Sequence, residues 1–264
     1  MPDIPWRIFS GDGPLVATAI HHGHDVRPEI RERLALPEDK RLNEEDPFTG
    51  PFTVVAPTRI IVERSRFEVD LNRPRENAVY RRPEDAWGLR VWRSELPDDV
   101  CDRSLAIHDA FYSTLGPILW EKERRYGAFV VFDLHSYNHR REGPDAPAQD
   151  PAANPEVNLG TGSMDRQRWG ALADRFMEDL RSFDFGGRHL DVRENVRFRG
   201  AELCRFVHTR FPKTGCGLAI EFKKFFMDEW TGETYPEIHG RIPEALCATV
   251  PGILEELEKV RSGR

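Results

Sequence analysis

Residues 128–134, Ala-Phe-Val-Val-Phe-Asp-Leu, form an almost unbroken apolar run of β-favouring side chains. A strand with one wetted face alternates apolar and polar residues. This one does not, so both of its faces are expected to be covered, as in the interior of a mainly parallel sheet. The remaining elements fit that architecture. Residues 15–20, 58–63 and 218–222 read as further strands, with 67–71 as a short one. Residues 28–36, 102–121, 163–183 and 243–261 read as helices, the second distorted at Pro117 and the last interrupted at Pro251. The third carries an apolar stripe at Trp169, Leu172, Phe176 and Leu180, with Ser163 as its N-cap. Strands and helices alternate, which predicts an α/β fold: a mixed, mainly parallel sheet flanked by helices. The 264 residues are expected to form one domain, with residues 1–13 as an irregular arm and 138–157 as a loop.

Composition narrows the function. The net charge of −7 gives no electrostatic footprint for nucleic acid. No apolar run approaches the roughly 20 residues that cross a bilayer, and residues 1–10 lack the charged start and apolar stretch of a signal peptide. Cys101, Cys204, Cys216 and Cys247 are scattered without a Cys-x-x-Cys pair and read as free thiols, which points to the cytoplasm. Neither a membrane nor a nucleic-acid partner is expected, and oligomeric state is left open.

In open α/β sheets chemistry gathers beyond the carboxyl ends of the strands. Three histidines and an aspartate, His21, His22, His24 and Asp25, follow the first strand. Neutral imidazole is a common zinc ligand, and a second ligand three residues on can close on the same ion; a polar turn topping a strand is the plainer reading. His135 ends the apolar strand, where it serves as a ligand or a core histidine, and Asp133 could orient a ring. Asn72 and Arg73 follow residues 67–71, and an arginine fork suits a carboxylate. Glu221 lies inside the apolar run 218–222. A carboxylate there needs a partner, either a nearby lysine or a catalytic role as general base.

Taken in order, the histidine cluster, Asp-Leu-Asn-Arg, Asp-Leu-His-Ser-Tyr and a glutamate in a late strand resemble the zinc carboxypeptidases and the aspartoacylase and succinylglutamate desuccinylase branch of that fold. In length and local pattern the chain is more similar to the N-formylglutamate amidohydrolase family. The likeness lies at the early His-x-Gly turn, at residues 65–74, 133–136 and 158–161, and at Glu221. This resemblance implies a zinc carboxypeptidase-like (phosphorylase/hydrolase-like) fold holding one Zn2+ per chain. His21 and His135 would be ligands. The peptidase pattern His-x-x-Glu is absent, since His24 stands third from His21, so His24 would complete the early pair. A carboxylate could instead come from Glu44-Glu45-Asp46, with Glu45 as the alternative ligand.

Glu221 would be the general base, and Arg73 with Asn72 would hold a substrate carboxylate or polarise the scissile carbonyl. Arg205, after the turn at 198–200, would assist in carboxylate recognition. Asn158 and Thr161 would lie in a substrate loop, or equally in a turn capping the next helix. The implied activity is hydrolysis of an N-acyl, N-formyl-like, amino acid with a free carboxylate. A carboxypeptidase acting on short peptides, favoured by a groove-like site, and a non-catalytic ligand-binding homologue are the alternatives.

Overall fold

A computed structural model describes residues 4–263. In chain order the strands are β1 (Trp6–Phe9), β2 (Leu15–Ala19), β3 (Thr58–Val62), β4 (Phe129–Tyr137), β5 (Val157–Gly160), β6 (Val192–Glu194) and β7 (Gly215–Lys223). The helices are α1 (Pro28–Arg31), α2 (Glu38–Glu44), α3 (Asp98–Tyr126), α4 (Arg166–Ser182), α5 (Glu202–Arg210) and α6 (Pro236–Ser262). All seven strands share one sheet in the order β1-β3-β2-β4-β7-β5-β6. The centre, β3-β2-β4-β7, is parallel. β1 runs antiparallel to β3 and β5 antiparallel to β7, so the sheet is mixed and mainly parallel, as expected.

β4 is buried along its whole length. Alternation along the strand sends Val130, Phe132 and Leu134 to one face, where they meet Trp169, Leu172 and Phe176 of α4 and Ile242, Leu246 and Ile253 of α6. Phe129 and Val131 point to the other face, against Phe111, Leu115 and Leu119 of α3 and Leu203 and Val207 of α5. Asp133 and His135 continue that second face, so the polar end of β4 opens on the α3–α5 side.

The differences from the sequence reading have local causes. The arm assigned to residues 1–13 contains β1, an edge strand paired with β3; residues 1–3 lie outside the described residues. Residues 67–71 are not a strand: the backbone turns there, and Asp70 N–H bonds to Ala78 O at 2.7 Å. The helix at Pro28 ends at Arg31. Helix α4 starts at Arg166, because the Asp165 side chain, not Ser163, accepts the N–H groups of Gln167 and Arg168. Pro117, Pro243 and Pro251 are carried inside long helices; burial of Leu115, Leu119, Leu246 and Ile253 offsets the bonds those prolines remove. Residues 138–156 carry no strand or helix, and β5 claims position 157 of the expected loop.

Candidate active site

The carboxyl ends of β2, β4 and β7 lie along one edge of the sheet. His21 follows β2, and the turn beyond it presses onto the end of β3. A Cβ on Gly23 would lie 2.0 Å from the Glu63 carbonyl carbon, so only glycine allows this approach. In β4, His135 is paired in register with Glu221 of β7, and Glu221 with Asn158 of β5. The three side chains therefore stand in a row on one face.

A third chemical group comes from outside the sheet. Asp46 lies just past the end of α2, and its backbone N–H donates to His21 O at 3.0 Å. His21, Asp46 and His135 are all buried, and their potential ligand atoms lie within 4.8 Å of one another. Nδ1 of His135 is 2.9 Å from Asp46 Oδ2, and Nδ1 of His21 is 3.5 Å from the same oxygen. The opposite nitrogen of each ring faces another buried carboxylate. His21 Nε2 donates to Asp70 Oδ1 at 2.6 Å, and His135 Nε2 lies 2.9 Å from Asp133 Oδ2. Thr18 Oγ1 donates to the other oxygen of Asp133 at 2.8 Å. Asp70 also accepts bonds from Arg66 Nη2 at 2.9 Å, from the Tyr80 hydroxyl and from the Asn72 backbone. Carboxylates placed behind imidazoles in this way fix ring orientation and tautomer.

Burial opposes charge on Asp46, yet hydrogen bonds from His135 and His21 hold its pKa far below the usual carboxylate range. Burial likewise opposes charge on His135, but the nearby carboxylates of Asp133 and Glu221 carry its pKa well above the usual histidine range. Burial, aided by the negative charges of Asp46 and Asp133, pushes Glu221 up to about 7. Asp46, Asp70, Asp133 and Glu221 thus crowd carboxylates around the two rings. Such a cluster calls for positive charge at its centre. Two imidazoles and a carboxylate converging on one point are a donor set suited to zinc, with further positions left for water and substrate.

These groups line a cavity of about 280 Å³. Arg66, Arg73, Arg141, Arg199 and Lys224 bring cationic groups to its wall, while Trp87, Tyr137 and Phe198 bring aromatic ones. Arg73 lies 3.5 Å from Asp70 Oδ2, and its guanidinium sits over the Tyr80 ring at 4.7 Å. Asp70 is already engaged by Arg66 and His21, so it neutralises Arg73 only in part.

The structure thus brings His21, His135, Glu221, Arg73 and Asn72 to one cavity. It does not bring His24 or Glu45 there. Glu45 and Asp46 point to opposite sides of an extended backbone: Glu45 bonds His24, Ser65 and Arg41 in a separate buried network. Asn72 has its amide committed, with Oδ1 accepting the Leu203 N–H at 3.1 Å near the start of α5 and Nδ2 lying 3.3 Å from His135 Nε2. Asn158 belongs to β5, not to a loop, and its side chain ties down residues 197–198: Nδ2 donates to Phe198 O at 2.8 Å and Oδ1 accepts from Arg197 N at 2.8 Å. Thr161 bonds Glu194 and Asn195 outside the cavity. Arg205 is exposed and paired with Glu202.

A sequence model of N-formylglutamate amidohydrolase matches residues 13–226. No curated protein matches the sequence at a significant level. Among solved structures, an N-formylglutamate amidohydrolase from Ralstonia eutropha JMP134 superposes with a TM-score of 0.76 at 18% identity, over 99% of this chain and 100% of the other. A gene product of Agrobacterium tumefaciens gives 0.66 at 18% identity, over 94% and 96%. A metallo-carboxypeptidase from Burkholderia cenocepacia gives 0.38 at 16% identity, over 91% of this chain and 56% of the other.

Proposed function

From the premise that the chain belongs to the N-formylglutamate amidohydrolase family, and so is a hydrolase acting on amide bonds, we propose that it is a metal-dependent, zinc-type enzyme cleaving the amide of a small N-acyl amino acid with a free carboxylate. The observation that carries this reading is the convergence of His21, Asp46 and His135 at the cavity floor, with a buried carboxylate behind each ring. These three residues would hold one ion per chain. A divalent cation there supplies Lewis acidity to the scissile carbonyl.

The protein's own groups supply the rest. Glu221 takes a proton from the attacking water as the new C–O bond forms, and returns it to the leaving nitrogen as the C–N bond breaks. A pKa pushed up to about 7 suits a base that must both accept and donate near neutral pH. Arg73, only partly neutralised by Asp70, binds the substrate carboxylate and sets the distance from that anchor to the amide. The buried row of Asp133, Asp70 and Tyr80 keeps both rings fixed, so no reorganisation is needed during the reaction. A cavity of about 280 Å³ supports a small substrate over an extended peptide.

The test combines metal analysis with turnover. The protein purified without chelator is expected to carry about one zinc per chain and to hydrolyse N-acyl amino acids bearing a free carboxylate. Glu221→Gln is expected to keep the metal and lose on the order of 10²–10⁴-fold in kcat. A folded protein that takes up no zinc, or an active Glu221→Gln enzyme, would remove the mechanism.

A further inference from the structure

Of the three groups that converge at the cavity floor, two are placed by the sheet: His21 just beyond β2 and His135 within β4. Asp46 has no strand to hold it. It follows α2, a helix of seven residues whose C-cap, Glu45, is already extended. Its own N–H bonds His21 O at 3.0 Å, and its place depends further on how the backbone before it is tied down.

Lys224 supplies that tie. It is 1% exposed, yet it makes no ion pair among the described residues. Its Nζ donates instead to two carbonyls of the Asp46 segment, to Asn43 O at 2.6 Å and to Glu45 O at 2.7 Å. Its own backbone N–H donates to Tyr137 O at 2.9 Å, fixing Lys224 to the ends of β4 and β7, which also carry His135 and Glu221. A buried amine is costly unless its N–H groups are satisfied. Here two of its three N–H donors are spent on carbonyls at the C-terminal end of a helix, where the backbone dipole favours a cation.

Resting on the metal reading above, we infer that Lys224 is a positioning residue for the metal centre, holding Asp46 in register with the two strand-borne histidines. Asn138 assists, donating through Nδ2 to Asn43 O at 2.8 Å, but among the described residues only Lys224 donates to the carbonyl immediately before Asp46.

The full-length protein, stripped of metal, is titrated with zinc against a chromophoric chelator, with circular dichroism of each zinc-free variant alongside. Lys224→Met, close in volume but unable to donate, is expected to weaken zinc affinity about 10–100-fold, the range for groups that act through a ligand. Lys224→Arg, which can still donate to both carbonyls, is expected to recover most of it. If Lys224→Met fails to fold, Lys224→Gln, too short to reach both carbonyls, is used and is expected to lose about 10-fold, the lower end of the same range. Wild-type affinity in Lys224→Met, or in Lys224→Gln when that variant is used, overturns the inference. Asp46→Asn separates the two failures. If Asp46→Asn binds zinc as the wild type does, the metal reading itself fails; if it binds weakly while Lys224→Met does not, only the role of Lys224 fails.

Discussion

Acid should destabilise this protein through His208, a residue outside the cavity. The ring sits between α5 and β7. Its Nε2 accepts the Gly217 N–H at 3.0 Å, so that nitrogen carries a lone pair, and Nδ1 then carries the proton it donates to Ser163 Oγ at 2.8 Å. A protonated ring would set one N–H against another and lose the bond to β7. The last-turn position in α5 favours a charged ring by about 0.3–1 kcal/mol at an exposed site. Burial outweighs this and lowers the pKa from 6.5 to about 4.

The sign follows directly. Between those two values the unfolded chain binds a proton that the folded chain refuses, so stability rises with pH. The contribution is complete above pH 6.5, is lost as pH falls toward about 4, and is constant below that. A shift of this size corresponds to at most about 3 kcal/mol at 1.36 kcal/mol per pKa unit. Urea unfolding of the wild type and His208→Gln across this range measures it, because other titrating groups cancel in the difference. The stability advantage of the wild type should shrink by up to about 3 kcal/mol on acidification. A difference that stays flat, or grows as pH falls, refutes the neutral-ring assignment.

Other consequences are simpler to read. His135→Ala should lose zinc while keeping the wild-type circular dichroism spectrum; normal metal content in the folded variant would remove His135 from the ligand set. Arg73→Ala should raise KM chiefly for substrates with a free carboxylate, and an equal effect on neutral analogues would place Arg73 in the transition state or in the fold instead. Phe176 is fully buried against Phe132 at 5.3 Å, so Phe176→Ala should cost about 3–5 kcal/mol in denaturant unfolding, and a loss below about 1 kcal/mol would contradict the packing of α4 on β4.

The layered sheet was legible because its signal is local: the apolar run at 128–134 and the stripe on α4 state their own environments. β1 and β6 carried weaker signals. β1 has one buried residue, Trp6, and three exposed ones, and β6 is three residues long. Their pairing is decided by the edges they join rather than by their own composition.

The candidate site shows the same division at the scale of one residue. A histidine at the end of a strand has its direction set by the strand, so His21 and His135 could be singled out from sequence. In Glu44-Glu45-Asp46 nothing local says which carboxylate turns inward. The sequence puts His24 first, with Glu45 as the alternative carboxylate, but the C-cap backbone aims Glu45 at Ser65, Arg41 and His24, and this sends Asp46 the opposite way, toward the two rings. What decides between them lies far along the chain: Lys224 holds the Glu45 carbonyl, and His21 O accepts the Asp46 N–H. The same holds for Asn158 and Thr161, whose residue types suit a substrate loop until the strand pairing of β5 shows their side chains spent on residues 194–198. Side chains aimed by strand geometry can be read from sequence, whereas one held through a distant buried lysine, as proposed for Asp46, becomes visible only when the chain is folded.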